Sequence, residues 1–496
     1  MYLIGYDIGS SSVKAALVDA STGKTLGIEQ YPEQEMPIVA PQPDWAEQHP
    51  EDWWAAVCAA TRKLITQTGI SSTEIEAIGI AYQMHGLVCL DKHGSVLRPS
   101  IIWCDSRAVD IGNRAFEQMG QGFCLQHYLN TPGNFTASKL KWVKEHQPEI
   151  FEQIDKVMLP GDYIAYRMTG HMNTTVTGLS EGIMWDFHLQ KPARDLLHHF
   201  GIPDNYLPEL VPICGVQGKL TRKAAEESGL KEGIIIGYRA GDQPNNAMAL
   251  NVLKPGELAA TGGTSGVVYA VSSRPVYDPQ QRVNSFAHVN YTPDTPNTGV
   301  LLCINGAGST YRWIRDLLSQ NDEKLPYTQL ESIGGAVSPG AEGLTILPFG
   351  NGAERMLNNG NPGASIHGLN VNRHGKAHLV RAGLEGIAFA FVQGISVFEQ
   401  LGIQGKIIRV GNDNLFQSRI FAQTISDIYG LQIDVYHTTG AIGAAKASGV
   451  AIGLYPDLDT ALAHQLKPVH QFNPNKPAAE LLDAFQRFKG YLNKAL

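Results

Sequence analysis

No run of apolar residues approaches the roughly 18 that a membrane-spanning helix needs. The amino terminus, MYLIGYDIGSS, has neither the basic flank nor the apolar stretch of a secretory leader. The six cysteines (Cys58, Cys89, Cys104, Cys124, Cys214 and Cys303) stand far apart with no C-x-x-C pair. Neither a zinc knuckle nor a disulfide frame is expected from them, and reduced thiols are the simplest reading. His367, His374 and His378 also lack zinc-type spacing. Charge is sparse: 17% of residues are Asp, Glu, Lys or Arg, and acids outnumber bases to leave a net charge of −8. A mildly acidic chain fits poorly to nucleic acid or to an anionic membrane surface. Two nucleotide-binding patterns are missing as well. Gly23-Lys24-Thr25 looks like the end of a P-loop, but the first glycine of that loop would have to be Val18. No G-x-G-x-x-G follows a strand with an acidic residue downstream. These absences leave a soluble, cytoplasmic globular protein, with an enzyme expected and no nucleic acid or membrane as partner.

What is present in excess is glycine, 52 of 496 residues, above the usual ~7%. Apolar residues make up 43%, enough for a large core. The chain opens with apolar runs at Leu3–Ile8 and Val13–Val18 around Gly9-Ser10-Ser11-Ser12. A third run near Leu26–Tyr31 follows Ser21-Thr22-Gly23, so an antiparallel meander is expected. PEDWWAAVCAATRKLITQTG reads as an amphipathic helix that starts at Pro50. Ile75–Ala81 reads as a buried strand ending at Gln83-Met84-His85-Gly86, with another strand from Leu87 to Leu90. The middle, from about Asn130 to Thr177, reads mainly helical, and Ile234–Ile236 is a further buried strand that runs to Gly241-Asp242. Strands alternating with helices place the chain in the α/β class.

The opening pattern then returns. GELAATGGTSGVVYAVSS is again strand, Gly/Ser/Thr turn, strand, and Gly9–Val13 lies over Gly263–Val267 with both apolar flanks in register. Helices at Gly308–Leu318 and Leu379–Gln400 and a strand at Ile407–Val410 follow in the same order. A duplicated domain fits better than three unrelated ones. The expected boundary is near Asn251–Gly256, giving domains 1–250 and 251–496. The tail, AELLDAFQRFKGYLNKAL, carries the stripe Leu481, Leu482, Phe485, Phe488, Tyr491 and Leu492. It reads as a closing helix packed on the body, or as a partner-binding helix.

Chemistry concentrates at the turns. A tight Gly/Ser hairpin gathers backbone N–H groups and hydroxyls into a concavity that binds anions. Asp7 beside it would repel phosphate unless a cation intervened, which suggests Mg²⁺; a plain polar hairpin is the alternative. A second hairpin, Thr261–Gly266, could face the first across a cleft and hold one polyphosphate from both sides. Asp242 ends a buried strand in AGDQPNNA, where it could serve as a general base or merely as the cap of the next helix. His85 after its strand could be a structural histidine. Trp103-Cys104-Asp105-Ser106-Arg107 could wall a sugar through ring stacking and hydroxyl hydrogen bonds, or could be a loop anchored by an internal Asp–Arg pair.

In this order, DIGSSSVKAAL, DWAEQHPEDWW, YQMHGLVCLD, VLRPSIIWCDSRA, AGDQ, ATGGTSGVVYAVS and LVRAGLEGIAFAF resemble the FGGY carbohydrate kinases over essentially the whole chain. The resemblance implies two actin/Hsp70/hexokinase-like (ribonuclease H-like) domains with nucleotide and sugar between them. It implies ATP and Mg²⁺, a ketopentose acceptor with D-xylulose first, and a homodimer. By position, Asp242 matches the family's catalytic base and Asp7 the carboxylate that helps hold the metal; both are metal candidates. Ser11, Ser12 and Lys14 match the first phosphate hairpin, and Gly263, Thr264 and Ser265 the second. Gly308 matches a helix start near the nucleotide, and Gly411 with Asn412 the adenosine-side turn. Met84, His85, Trp103, Asp105 and Gln243 match sugar-side positions.

The likeness has departures. Gln243 stands where members acting on D-xylulose often carry Asn, and it leans toward the glycerol pattern. Asn412 replaces a glycine of the adenosine turn, and its Cβ limits close approach of the backbone. Glu354-Arg355-Met356-Leu357 lacks the family's usual Thr-Pro. Another ketose or polyol, such as ribulose, glycerol or a sugar alcohol, is the nearest rival acceptor. A non-catalytic nucleotide-binding protein of the same fold is the remote rival.

Overall fold

Leu3, Ile4, Tyr6 and Ile8 are all fully buried, so the first strand has core on both faces, as a central strand must. The computed structural model describes residues 1–319, 323–463 and 467–496. Its first sheet has six strands among the described residues: β1 (Tyr2–Ile8), β2 (Val13–Asp19), β3 (Thr25–Tyr31), β4 (Ile75–Tyr82), β5 (Cys214–Lys219) and β6 (Ile235–Gly241). Their order is β5-β6-β4-β1-β2-β3. β1, β2 and β3 form the expected antiparallel meander, while β1, β4 and β6 run parallel.

The second sheet holds β7 (Glu257–Gly262), β8 (Gly266–Ser272), β9 (Asn284–Ala287), β10 (Thr298–Ile304), β11 (Ile407–Gly411), β12 (Ile433–Tyr436) and β13 (His470–Phe472), in the order β9-β10-β8-β7-β11-β12-β13. β7, β8 and β10 are antiparallel neighbours, and β7, β11 and β12 are parallel. The unit β3-β2-β1-β4-β6 is thus repeated as β10-β8-β7-β11-β12, which is the duplication the sequence suggested. One detail differs. Ile8 pairs with Val13 and Gly262 with Gly266, so the second hairpin turn is one residue shorter. Its far flank is therefore shifted by one from the register expected: Gly266, not Val267, is the counterpart of Val13.

The helices used below are α1 (Pro50–Thr68), α2 (Thr136–His146), α3 (Val176–Glu181), α4 (Asp242–Ala249), α5 (Gly308–Leu318), α6 (Lys376–Gln400), α7 (Arg419–Tyr429), α8 (Gly440–Ala451) and α9 (Ala479–Ala495). The middle segment is mainly helical, as expected, but it also contributes a short strand, Lys156–Met158, paired with Val88–Leu90. α6 is long and apolar enough to cross a bilayer, yet most of it is buried in the second half of the molecule. Its Arg381 and Glu385 pair at 2.6 Å, and Glu385 also takes the Gly340 N–H. α9 packs on the body: Leu481, Phe488 and Leu492 are buried, and the Phe488 ring meets Phe349 and Phe389.

α8 was not foreseen. It comes from the second half of the chain but lies on the first sheet, across β1, β4 and β6. Gly5 and Gly79 are register partners on β1 and β4. A methyl group at Gly5 would overlap the Ala441 carbonyl, one at Gly79 would overlap the Ala444 carbonyl, and one at Gly237 would lie 2.8 Å from the Ser448 carbonyl. The helix answers with Gly440, Ala441, Gly443, Ala444, Ala445 and Ala447, all buried. Backbone therefore rests on backbone, without a side-chain layer between.

Close packing of this kind leaves no room to relax. Gly79→Ala is expected to lower the midpoint of thermal unfolding by about 5 °C or more. Gly490→Ala, in α9 where nothing stands within 4 Å of the new methyl, is expected to raise it slightly through helix propensity. Differential scanning calorimetry on the two variants checks both signs.

Candidate active site

The end of β1 brings Asp7 opposite Lys14 of β2. The end of β6 delivers Asp242 as the first residue of α4, at the carboxyl edge of parallel strands where open α/β sheets place ligands. α8 joins these two points. A Cβ on Gly440 would lie 2.7 Å from Asp7 Oδ2 and 2.6 Å from Asn246 Oδ1, so its first turn closes directly over the Asp7 carboxylate. Asn245 Nδ2 donates to the Gly440 carbonyl at 3.0 Å. Asp7, Lys14, Gln243, Asn246, Thr261, Gly411, Asp413, Thr439 and Gly440 line one cavity of about 220 Å³, built from both halves of the chain. Burial raises the Asp7 carboxyl above its ordinary range, with Lys14 opposing. Burial and the charge of Asp7 push Asp242 up to about 7, and the Gln243 N–H donates to Asp242 Oδ1 at 2.9 Å. The structure therefore brings Asp7, Lys14, Gln243 and Gly411 together; Asp242 does not line the cavity but directly precedes Gln243 and feels the Asp7 charge.

These hard oxygen donors suit Mg²⁺. No cluster of three or more His, Cys, Asp or Glu side chains converges among the described residues. Mg²⁺ often binds in this manner, through one or two carboxylates with water and phosphate oxygens completing the shell.

A second cleft of about 470 Å³ opens beside the β7–β8 hairpin. Gly263, Thr264 and Gly308 line it, and the hairpin is tied to α5 by Gly308 N–H to Gly263 O at 3.0 Å and Ser309 N–H to Thr264 O at 3.2 Å. Ser265 is exposed at the turn and does not line it; likewise Ser11 and Ser12 do not line the first cavity. Tyr311, Tyr327, Glu331, Asn414, Leu415 and Ser418 complete the wall and were missed by the sequence reading. Ser418 caps α7 and donates to Glu331 at 2.6 Å; an N-cap serine before a helix was the available signal. Asn412 does not line either space. Its N–H goes to the Tyr436 carbonyl and its side chain reaches His437 at 3.2 Å. The lining of this cleft thus starts after the expected turn, at Asn414.

Beyond the end of β4, His85 sits in the left-handed region at φ 63. Four contacts hold it there. Lys139 of α2 donates to its carbonyl at 2.9 Å, its Nδ1 meets the Glu181 carbonyl at 2.9 Å, and its ring packs edge-on to Phe135 and tilted against Phe286. Burial and Lys139 lower the imidazole to about 3, so it is neutral. A neutral ring that gives its Nδ1 hydrogen to the carbonyl keeps Nε2 as an acceptor. Met84 is buried against Gly241. Trp103 is half exposed, its indole N–H 3.3 Å from Ser10 Oγ.

Phe286 belongs to β9, so the second half of the chain reaches the His85 side. β9 is clasped there: the Asn130 amide accepts from Ser285 N–H at 3.0 Å and donates to Ser285 O at 2.6 Å, and Ser180 Oγ takes the Ala287 N–H at 2.7 Å. All of these residues are buried.

Asp105 does not form part of an open wall. It is fully buried, and its carboxylate accepts from the Ala46 N–H at 2.6 Å and from Arg107 at 2.7–3.0 Å. Arg107 also pairs with Glu47 at 2.7 Å and lies 3.7 Å over the Trp45 ring. This is the internal Asp–Arg anchor that the loop's composition allowed, set behind Trp103.

The family model described as the FGGY family of carbohydrate kinases, N-terminal domain, matches residues 2–249, and that of the C-terminal domain matches residues 258–452. The chain is 31% identical to a xylulose kinase of Escherichia coli over 477 residues, covering 93% of this chain and 94% of the relative. It is similar in structure to a xylulose kinase from Rhodospirillum rubrum, with a TM-score of 0.87, 25% identity, and coverage of 100% and 98%. A glycerol kinase from Plasmodium falciparum with ADP shares the fold at 19% identity and a TM-score of 0.87, with coverage of 100% and 97%.

Asp105→Ala leaves the Arg107 guanidinium short of a buried countercharge. A stability loss of about 3 kcal/mol or more is expected, seen as a lower thermal midpoint, with nucleotide affinity by titration calorimetry within about threefold of wild type. An unchanged midpoint would remove Asp105 from this structural role.

Proposed function

The chain belongs to the FGGY family of carbohydrate kinases and uses ATP to phosphorylate a sugar; from that premise we propose that the acceptor is D-xylulose, phosphorylated at its terminal hydroxyl, with Asp242 as the general base. The observation that carries this reading is the position of Asp242. It stands at a strand end next to Gln243, which lines the cavity of Asp7 and Lys14, and directly after Gly241, against which Met84 packs. Most of the chain is shared with relatives named xylulose kinase, which supports the same acceptor.

In this reading Asp242 accepts the hydroxyl proton of O5 as that oxygen bonds to the γ-phosphorus and the bond to the β-phosphate oxygen breaks, releasing ADP. Asp7 and Asp242 would hold Mg²⁺, which supplies charge neutralisation at the β- and γ-phosphates when bound. Lys14 adds positive charge from β2. The N–H groups of the Gly263–Thr264 turn hold phosphate oxygens from the opposite side. Tyr311, Tyr327 and the residues from Asn414 to Arg419 take the nucleoside. His85 Nε2 accepts from a sugar hydroxyl, and the Trp103 face covers carbon-bound hydrogens. Closure of the two halves keeps water from the γ-phosphate.

A polyol acceptor such as glycerol is the second reading. Gln243 favours it, because its amide lies at Asp242, 3.4 Å from Oδ2, where it could read a short polyol.

Asp242→Asn is expected to bind ATP normally and to lose turnover by about 10³-fold; near-normal turnover excludes it as the base. Coupled ADP release with D-xylulose, D- and L-ribulose, glycerol, xylitol and no sugar tests the acceptor. Turnover confined to D-xylulose is expected, and turnover on a polyol but not on xylulose replaces the first reading by the second.

A further inference from the structure

Glu181, the last residue of α3, is a buried acid beside this site to which no role has been given. It is 1% exposed, both of its carboxyl oxygens are buried, and neither makes a hydrogen bond of ordinary geometry to the protein. The Tyr82 hydroxyl interacts with it, yet that oxygen too is left without a hydrogen bond of ordinary geometry. An unpaired buried carboxyl is costly, and its place shows what could satisfy it. A Cβ on Gly241, the residue before Asp242, would lie 3.0 Å from Glu181 Oε2 and 2.5 Å from Met84 Cγ. His85 Nδ1 is 3.9 Å from the same Oε2. Met84, His85 and the Gly241–Asp242 turn therefore converge on this group.

The nearby buried cations are engaged elsewhere. Lys139 donates to the carbonyls of His85 and Ile102, both at 2.9 Å. Arg239 pairs with Asp162 at 2.9 Å and with Asn173. Arg107 is held by Asp105 and Glu47. Burial, reinforced by the charges of Asp242 and Asp162 and opposed by Tyr82, holds the Glu181 carboxyl well above its ordinary range, which favours the neutral acid, a group with one O–H donor and one carbonyl acceptor. Such a group matches an alcohol, which also donates and accepts once.

We propose that Glu181 is a further acceptor-binding residue, exchanging hydrogen bonds with a sugar hydroxyl, and that it makes the site select uncharged polyhydroxy acceptors over sugar acids. The proposal rests on the kinase reading above and deepens its acceptor side. An acceptor that reaches His85 and Asp242 comes within range of Glu181 once the unbranched Met84 side chain shifts. A carboxylate in the same place would bury a charge with Lys139 and Arg107 already committed, and would leave the Glu181 carbonyl oxygen without a donor.

The test measures steady-state kinetics of wild type, Glu181→Leu and Glu181→Gln with D-xylulose, glycerol, xylitol and D-gluconate. Glu181→Leu is expected to raise KM for the neutral acceptor by about tenfold or more, with KM for ATP within about twofold. Glu181→Gln, which keeps one donor and one acceptor, is expected to recover most of that loss. Wild type is expected to leave gluconate unphosphorylated. An unmoved acceptor KM in Glu181→Leu, or equal losses in Leu and Gln variants, overturns the proposal, as does gluconate turnover by wild type. Should Glu181→Leu fail to fold, Glu181→Met takes its place, and the wild-type panel still tests the exclusion of sugar acids. If wild type turns over no neutral acceptor, the kinase reading fails first; if it does and Glu181→Leu is silent, only the role of Glu181 falls.

Discussion

Direct contact between the backbone of α8 and the strands below it is the constraint on which the rest of the molecule depends. Gly5, Gly79 and Gly237 leave a floor without side chains, and a helix of glycine and alanine lies down on it. Dispersion and packing at that distance are sensitive to a single methyl group. The same helix opens with Gly440 over Asp7 and crosses α4 at Gly443 and Ala249. Its seating therefore sets the distance between the end of β1 and the end of β6, and with it the spacing of the two carboxylates.

Much of the architecture was legible because it is local. The strand–turn–strand hairpins have tight Gly/Ser/Thr turns between apolar runs, and their repetition announced two similar sheets. Asp7 and Asp242 were visible as acids at the ends of those runs. What escaped was set by contacts distant in sequence. Gly5, Gly79 and Gly237 look like ordinary strand glycines until a helix some two hundred residues or more away is placed on them. Glu181 sits in a helix of six residues, and nothing in VTGLSE marks its carboxyl as buried. Asp105 was read two ways, because a carboxylate two residues before an arginine suits either a sugar or the arginine. Only the Ala46 N–H and the enclosing tryptophans decide that its partner is internal.

The two sides of the cleft are held by different physics. Around β7, β8 and α5, backbone hydrogen bonds between Gly263, Thr264, Gly308 and Ser309 define a rigid lip, and the neighbouring cleft is open, with Tyr311, Tyr327 and Leu415 in its wall. Around His85, buried aromatic rings and side-chain amides clasp β9 against the other half of the chain. Asn130 imitates a strand neighbour by giving Ser285 both of the hydrogen bonds a peptide would. Opening the cleft at that end would expose several paired groups at once.

The seating of α8 also bears on how the chain is made. The strands of the first sheet leave the ribosome early, but the helix that covers one of their faces is encoded close to the other terminus. Until residues 440–451 emerge, Gly5, Gly79 and Gly237 present bare peptide groups to solvent or to any passing strand. The first half cannot finish folding as an independent unit during synthesis, as early domains generally do. Its completion waits for residues 440–451, so a product truncated before them would lack the cover on its own core and the helix that closes over Asp7.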